Sequence, residues 1–224
     1  MPRVSREQSE QNRIAIEEAA SRLFREQGFK GVSVSDLMGG AGLTHGGFYG
    51  HFESKDELAA IACERAFDES IDCWDGRIAS HADKQDALAA VVNGYLSTRT
   101  RDDAGISCPA SAWAGDVVRE DAQSPVRAAY VRGVKGLLAR LLRLSDAAPV
   151  AGQHAATAVT KASAKASAKA EAKAQAEARA EAEQQALLRM ITLVGALNLA
   201  RATAGDPLSD QILKVARAAL LQAD

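Results

Sequence analysis

Apolar residues in this chain recur every three or four positions rather than every second one, a spacing that predicts helices. Ile16, Ala19/Ala20, Leu23 and Phe24 keep it from about Glu10 to Gln27, and Gly28 is a natural stop. Ser33 with Asp36 three residues on predicts an N-cap and an acidic first turn, opening a short helix through Met38. Gly39 to Leu43 reads as a tight turn, and Thr44 as the cap of a second short helix through about His51. Ser54 with Glu57 has the capping-box pattern of a third, longer helix. Two short helices joined by a glycine-containing turn predict a helix-turn-helix unit.

The helix from Ser54 continues with Ala60, Cys63, Phe67, Ile71 and Trp74 as one apolar stripe. Leu88, Val91/Val92 and Tyr95 mark the next helix, and another begins near Pro109, where proline is well tolerated. A further helix starts at Pro125, with Tyr130, Val134, Leu137/Leu138, Leu141 and Leu144 on its apolar side. From Lys161 to Glu183 alanine alternates with Lys, Ser, Glu, Gln or Arg. Such residues favour helix over strand, yet the alternation leaves polar groups on every face. Lys161, Lys165, Lys169 and Lys173 also repel one another at i,i+4 spacing. The region near 150–183 is therefore expected to be a solvated, fraying helical insertion. Packing resumes with Leu187, Ile191, Val194 and Leu197/Asn198, beside the small Gly195, Ala196 and Ala200. The last helix starts at Ser209 and carries Ile212, Val215/Ala216, Ala219 and Leu220. The fold class expected is all-α, with a helix-turn-helix domain over residues 1–53 and a larger helical domain over 54–224.

Composition agrees: 47% of residues are hydrophobic and only 4% aromatic, which suits a helical core better than a β-sandwich. The opening "MPRVSREQSEQNR" has no apolar stretch, so no signal peptide is expected, and no run is long enough to span a membrane. Cys63, Cys73 and Cys108 make an odd count without CxxC spacing, which fits a reducing cytoplasm. No metal-ligand spacing, cofactor motif or nucleophile–base pattern occurs, so an enzyme is not expected. The net charge of −2 gives no global argument for nucleic acid. Residues 1–60 hold seven basic side chains against nine acidic ones, so non-specific affinity for phosphates should be weak and salt-sensitive. Arg3 and Arg6 could serve as an N-terminal arm.

One stretch stands apart: "GLTHGGFYGHFESKDEL", Gly42 to Leu58. Glycine costs roughly 1 kcal/mol relative to alanine inside a helix, so Gly46, Gly47 and Gly50 in one short helix suggest that something approaches its backbone closely. Together with Gly28-Phe29, Ser33/Val34 and "AGLT", this segment resembles the DNA-binding signature of the tetracycline-repressor (TetR) family over about 45 residues. The resemblance implies a double-stranded DNA operator as partner. It also implies site residues at Ser33, Ser35, Thr44, His45, Gly46, Gly47, Tyr49, His51 and Lys55. Thr44, Tyr49, His51 and Lys55 would hold phosphates, and His45 is the main long side chain for base edges. Phe48 and Phe52 should instead pack inward.

The resemblance further implies a small-molecule effector bound among the later helices, with Trp74, Tyr95, Cys108, Trp113 and Tyr130 as candidate lining residues. Their aromatic character suggests an apolar or aromatic effector. Cys108 precedes Pro109 at an expected helix start, where the dipole would favour a thiolate, and a subset of similar regulators senses reactive electrophiles or oxidants. A palindromic operator requires a two-fold protein. The homodimer interface is expected on the last two helices at Leu187, Ile191, Val194, Gly195, Ile212, Ala216 and Ala219. Repression is the common mode implied. The rival reading is a helical ligand-binding or interaction protein that lacks specific DNA binding.

Overall fold

The computed structural model describes residues 5–145 and 161–222, and among these residues there are helices and no strands. The chain opens with α1 (Arg6–Gly31), started by Ser5, whose Oγ accepts from the Gln8 amide at 3.1 Å. That cap sets the helix beginning four residues ahead of the expected one. Gly28 breaks the regular path with φ 76°, a left-handed conformation that favours glycine, and a further turn carries the helix to Gly31. Then α2 (Val34–Gly40) has a complete capping box: Ser33 Oγ accepts from the Asp36 amide, and the Asp36 carboxylate accepts from the Ser33 amide at 2.8 Å. The turn that follows passes through Gly42 at φ 71°.

The segment expected to be a second short α-helix is a tighter 3-10 helix, His45–Gly50. Gly47 N donates to Thr44 O at 3.1 Å, the i→i+3 pattern of that geometry. Three poor helix formers within six residues leave little to hold an α-helix there, and buried Phe48 anchors the turn. Helix α3 (Lys55–Ala79) is capped by Ser54, whose Oγ accepts from Glu57 N at 3.0 Å. The reciprocal half of the box lands one residue upstream, with the Glu57 carboxylate accepting from the Glu53 amide.

Helix α4 (Lys84–Tyr95) is capped by Asp83, and α5 (Thr98–Asp102) by Ser97. The stretch expected as one helix from Pro109 is two single turns, α6 (Pro109–Ala112) and α7 (Ala114–Val117), broken at Trp113. Helix α8 (Pro125–Leu144) follows, and α9 (Lys161–Ala202) and α10 (Pro207–Leu221) complete the fold.

Helix α3 is the spine: it packs on α1 near its start and along α8 further on. The approach to α8 is close because Gly133 lies under the Phe67 ring, which a Cβ would overlap. Phe67 and Tyr130 meet edge-on, with centroids 5.6 Å apart. Asp75 of α3 binds Arg140 at 2.6 Å and Arg143 at 2.7 Å, and the hydrogen bond from Arg140, more than that from Arg143, holds its carboxyl below the usual range.

The alanine-rich tract is not a separate insertion in its described part. From Lys161 it is continuous with the packed sequence as one 42-residue helix. The rest of the region near 150–183, and Arg3, lie outside the described residues. Residues 169–181 are solvated on nearly every face, and burial begins at Ala182 and Ala186. The core face of α9 is Ala186, Met190, Leu193, Leu197 and Ala200, whereas Leu187 and Ile191 are 49% and 66% exposed. The expected stripe through 187, 191 and 194 is therefore a second apolar face, and a helix with two such faces defeats a one-stripe reading.

Candidate nucleic-acid interface and cavity

The helix-turn-helix unit is built on Leu37, Met38, Phe48, Phe52 and Leu58, all buried with Phe24 of α1. Arg13 of α1 lies over the Phe52 ring at 5.2 Å, a cation–π contact that ties α1 to the loop ahead of α3. On this base the 3-10 turn presents Thr44, His45, Gly46, Gly47 and Tyr49 to solvent, with Tyr49 72% exposed. Thr44 sits at the N-cap position but its hydroxyl makes no cap bond, so it is free to bind an outside acceptor. Ser35 is exposed near the start of α2.

The remaining expected residues are placed differently. Ser33 Oγ donates to the Asp36 carboxylate at 2.6 Å, which commits it to the cap and holds Asp36 below the usual carboxylate range. His51 is half-buried against Phe52, with ring centroids 6.3 Å apart. The Lys55 ammonium lies 6.0 Å over the Phe24 ring, half-buried at the start of α3.

A cavity of about 190 Å³ opens between α1, α3, α4 and the segment through residues 100–108. Trp74, Tyr95 and Cys108 line it. Trp113 and Tyr130 do not. The Trp113 indole is fully buried and donates to Phe24 O at 2.8 Å, while the Tyr130 hydroxyl donates to Ala110 O at 2.7 Å. Both aromatics are structural ties between segments.

The other lining residues were not singled out in the sequence. Ser70, Cys73, Trp74 and Arg77 follow i, i+3, i+4, i+7 on α3, a helical face that could have been read as one set. Arg25 reaches in from α1, its guanidinium bonded to Glu69 at 3.0 Å, Ser21 Oγ at 2.9 Å and Ser107 O at 3.3 Å. The walls are thus more polar than an aromatic count implies.

Burial also changes the cysteine chemistry expected. Cys108 caps only a four-residue helix and is buried, and desolvation pushes its thiol up despite the nearby Tyr95 hydroxyl and the Ala110 and Ser111 amides. Cys63 is pushed up to about 12, chiefly by burial and then by Glu64. Both stay protonated at neutral pH, whereas Cys73 is exposed at the cavity. A colorimetric thiol count with DTNB at pH 8 should therefore find one fast-reacting cysteine in the native chain and three in denaturant. Two or more fast thiols in the native chain would contradict this burial.

Among the described residues no group of His, Cys, Asp or Glu could hold a metal ion, and no helix is long and apolar enough to cross a membrane.

A helix-turn-helix unit with an open, glycine-rich turn is set on a larger all-helical body, the architecture of one class of DNA-binding modules. Comparisons agree. Residues 16–61 match the model for bacterial regulatory proteins of the tetR family. The chain is 27% identical over 99 residues to the HTH-type transcriptional regulator YfiR of Bacillus subtilis, covering 44% of this chain and 46% of YfiR. It is 34% identical over 58 residues to the HTH-type transcriptional regulator AcrR of Shigella flexneri, covering 26% of this chain and 27% of AcrR. The chain thus spans less than half the length of the curated relatives it matches. Across the full fold, a TetR transcriptional regulator from Chloroflexus aurantiacus superposes with a TM-score of 0.70 at 21% identity, covering 96% of this chain and 95% of the other. The segment 16–61 is thus similar in sequence to the DNA-binding part of tetR-family regulatory proteins, and the whole chain shares the fold of a solved TetR regulator.

Proposed function

We propose that this protein is a ligand-responsive repressor that binds a palindromic DNA operator as a homodimer and releases it when a small effector fills the cavity. The observation that carries the DNA half is the exposed face from Thr44 to Tyr49, whose Thr44 hydroxyl makes no cap bond. Thr44, Ser35, Tyr49 and the α3 start at Lys55 would hold phosphates, and His45 would meet base edges. His51 would assist from the rim, and Ser33 would act only by fixing α2. Gly46 and Gly47 let the backbone reach the groove. In this reading the DNA-binding domain is 1–53, the sensor domain is 54–224, and DNA as partner implies the cytoplasm.

An apolar groove between α9 and α10 supports the dimer. Ile191, Leu199, Leu208 and Val215 are 48–66% exposed there, with Gly195, Ala216 and Ala219 on its walls. Exposed apolar patches of this kind mark association surfaces. Leu187 and Val194 would extend the interface, and Ile212 would close it. Effector binding would then move α3, changing the spacing of the two recognition turns from about one DNA turn, roughly 34–36 Å. The excess of acidic over basic residues in 1–60 favours the second reading, a helical binding protein without a specific operator.

The test is selection of fragments from the source genome with purified protein at low and physiological salt. Gly46→Ala is the decisive control, because a Cβ there would meet nothing within 4 Å in the fold. Its melting temperature should stay unchanged while affinity for the recovered palindrome falls on the order of tenfold, measured by fluorescence anisotropy. Recovery of no enriched sequence would replace this reading with the second one.

A further inference from the structure

We propose that the cavity between α1, α3 and α4 binds a small organic carboxylate, held by the Arg77 guanidinium and the Tyr95 hydroxyl. The assignment rests on the effector-cavity reading above and names the class of effector.

The argument is an account of donors. Tyr95 is 3% exposed and lines the cavity, and its hydroxyl has only the Cys108 thiol, a weak acceptor, beside it and reaches no oxygen or nitrogen partner. Buried hydroxyls are nearly always bonded, so an orphan on a cavity wall points to an occupant that accepts. Arg77 supplies the charge. Its guanidinium makes no hydrogen bond or ion pair among the described residues and lies flat on Gly94, where a Cβ would overlap it. That glycine lets an arginine of α3 lie against α4 at the cavity wall. Ser70, on the same α3 face, adds a hydroxyl without a partner among the described residues.

No carboxylate of the protein answers these donors. Glu69 is the acidic residue of the lining, and its two oxygens hold Arg25 at 3.0 Å and Arg65 at 3.2 Å. Arg25, the other cation of the wall, already spends four of its five donors on Ser21, Ser107 and Glu69. Behind Thr100, Arg201 donates to Thr100 O and Arg101 O, and has no carboxylate partner among the described residues. The walls therefore carry an excess of positive charge and unused donors in a space of about 190 Å³. A planar carboxylate matches a guanidinium fork. The volume limits its body to a short chain or a single ring, and Trp74 and Ile106 would face that apolar part.

The experiment measures thermal shift and calorimetric binding on the full chain without DNA, using acetate, butyrate and benzoate, each beside its neutral amide at matched ionic strength. At least one carboxylate should raise the melting temperature where its amide does not. Arg77→Gln and Tyr95→Phe should each weaken that binding on the order of 10- to 100-fold. Neither group makes an ion pair or a hydrogen bond to oxygen or nitrogen among the described residues, so the ligand-free melting temperatures of both variants should stay close to that of the parent. The proposal is overturned if no carboxylate outperforms its amide, or if both variants bind as the parent does. A carboxylate that binds here but leaves an operator complex intact would keep the site and remove the switch.

Discussion

Replacing Trp113 with alanine is expected to cost about 3–5 kcal/mol of stability, the range for truncating a fully buried aromatic. The indole is 0% exposed, its Nε1 donates to Phe24 O at 2.8 Å, and its ring meets Phe29 at 5.2 Å. Phe24 and Phe29 belong to α1, so this one side chain joins the first helix to the α6–α7 turns. Trp113→Phe keeps most of the buried surface and loses the hydrogen bond, and should cost roughly 1–2 kcal/mol. Urea unfolding checks both, with an unchanged m-value separating lost stability from a changed denatured state. A loss below about 1 kcal/mol for the alanine variant would mean that α1 is held mainly elsewhere.

Glutamate at both Ile191 and Leu199 is expected to convert a dimer into a folded monomer. Both side chains are more than half exposed on the open groove, so the fold should keep its helical signal. In a two-fold interface four carboxylates would be buried without partners, each at a cost of several kcal/mol. Light scattering after size exclusion should give twice the chain mass of 23.6 kDa for the parent and that mass for the variant. Affinity for a palindromic site should drop with it, because two half-sites are then no longer held together. A monomeric parent would remove the dimer from the proposal outright.

The helix-turn-helix unit was legible because its signals are local. Ser33 with Asp36, Ser54 with Glu57 and the left-handed Gly28 act within a few residues, and their neighbours in sequence decide their role. The 3-10 form of the recognition turn was only hinted at, by its three glycines. The cavity was half legible, because its wall is assembled from side chains far apart in the chain. Trp74 and Trp113 look alike in sequence, and a single long-range bond to Phe24 O separates a structural tie from a wall residue. Arg77 carries no signal of its own in the sequence, and only its seat on Gly94 of α4 brings it to the cavity wall. On α9, two apolar faces were read as one, because periodicity reports that a face exists and not which neighbour covers it.

Helix α9 holds two thermodynamic regimes in one unbroken backbone. At 1.5 Å per residue its 42 residues extend for about 63 Å. From Ala182 onward its amides are locked by packing and should open only with the whole molecule. Residues 169–181 lean on intrinsic propensity and on ladders such as Arg179–Glu183 at 2.9 Å. They follow a helix–coil equilibrium of their own, set by temperature and salt and answering to no other part of the fold.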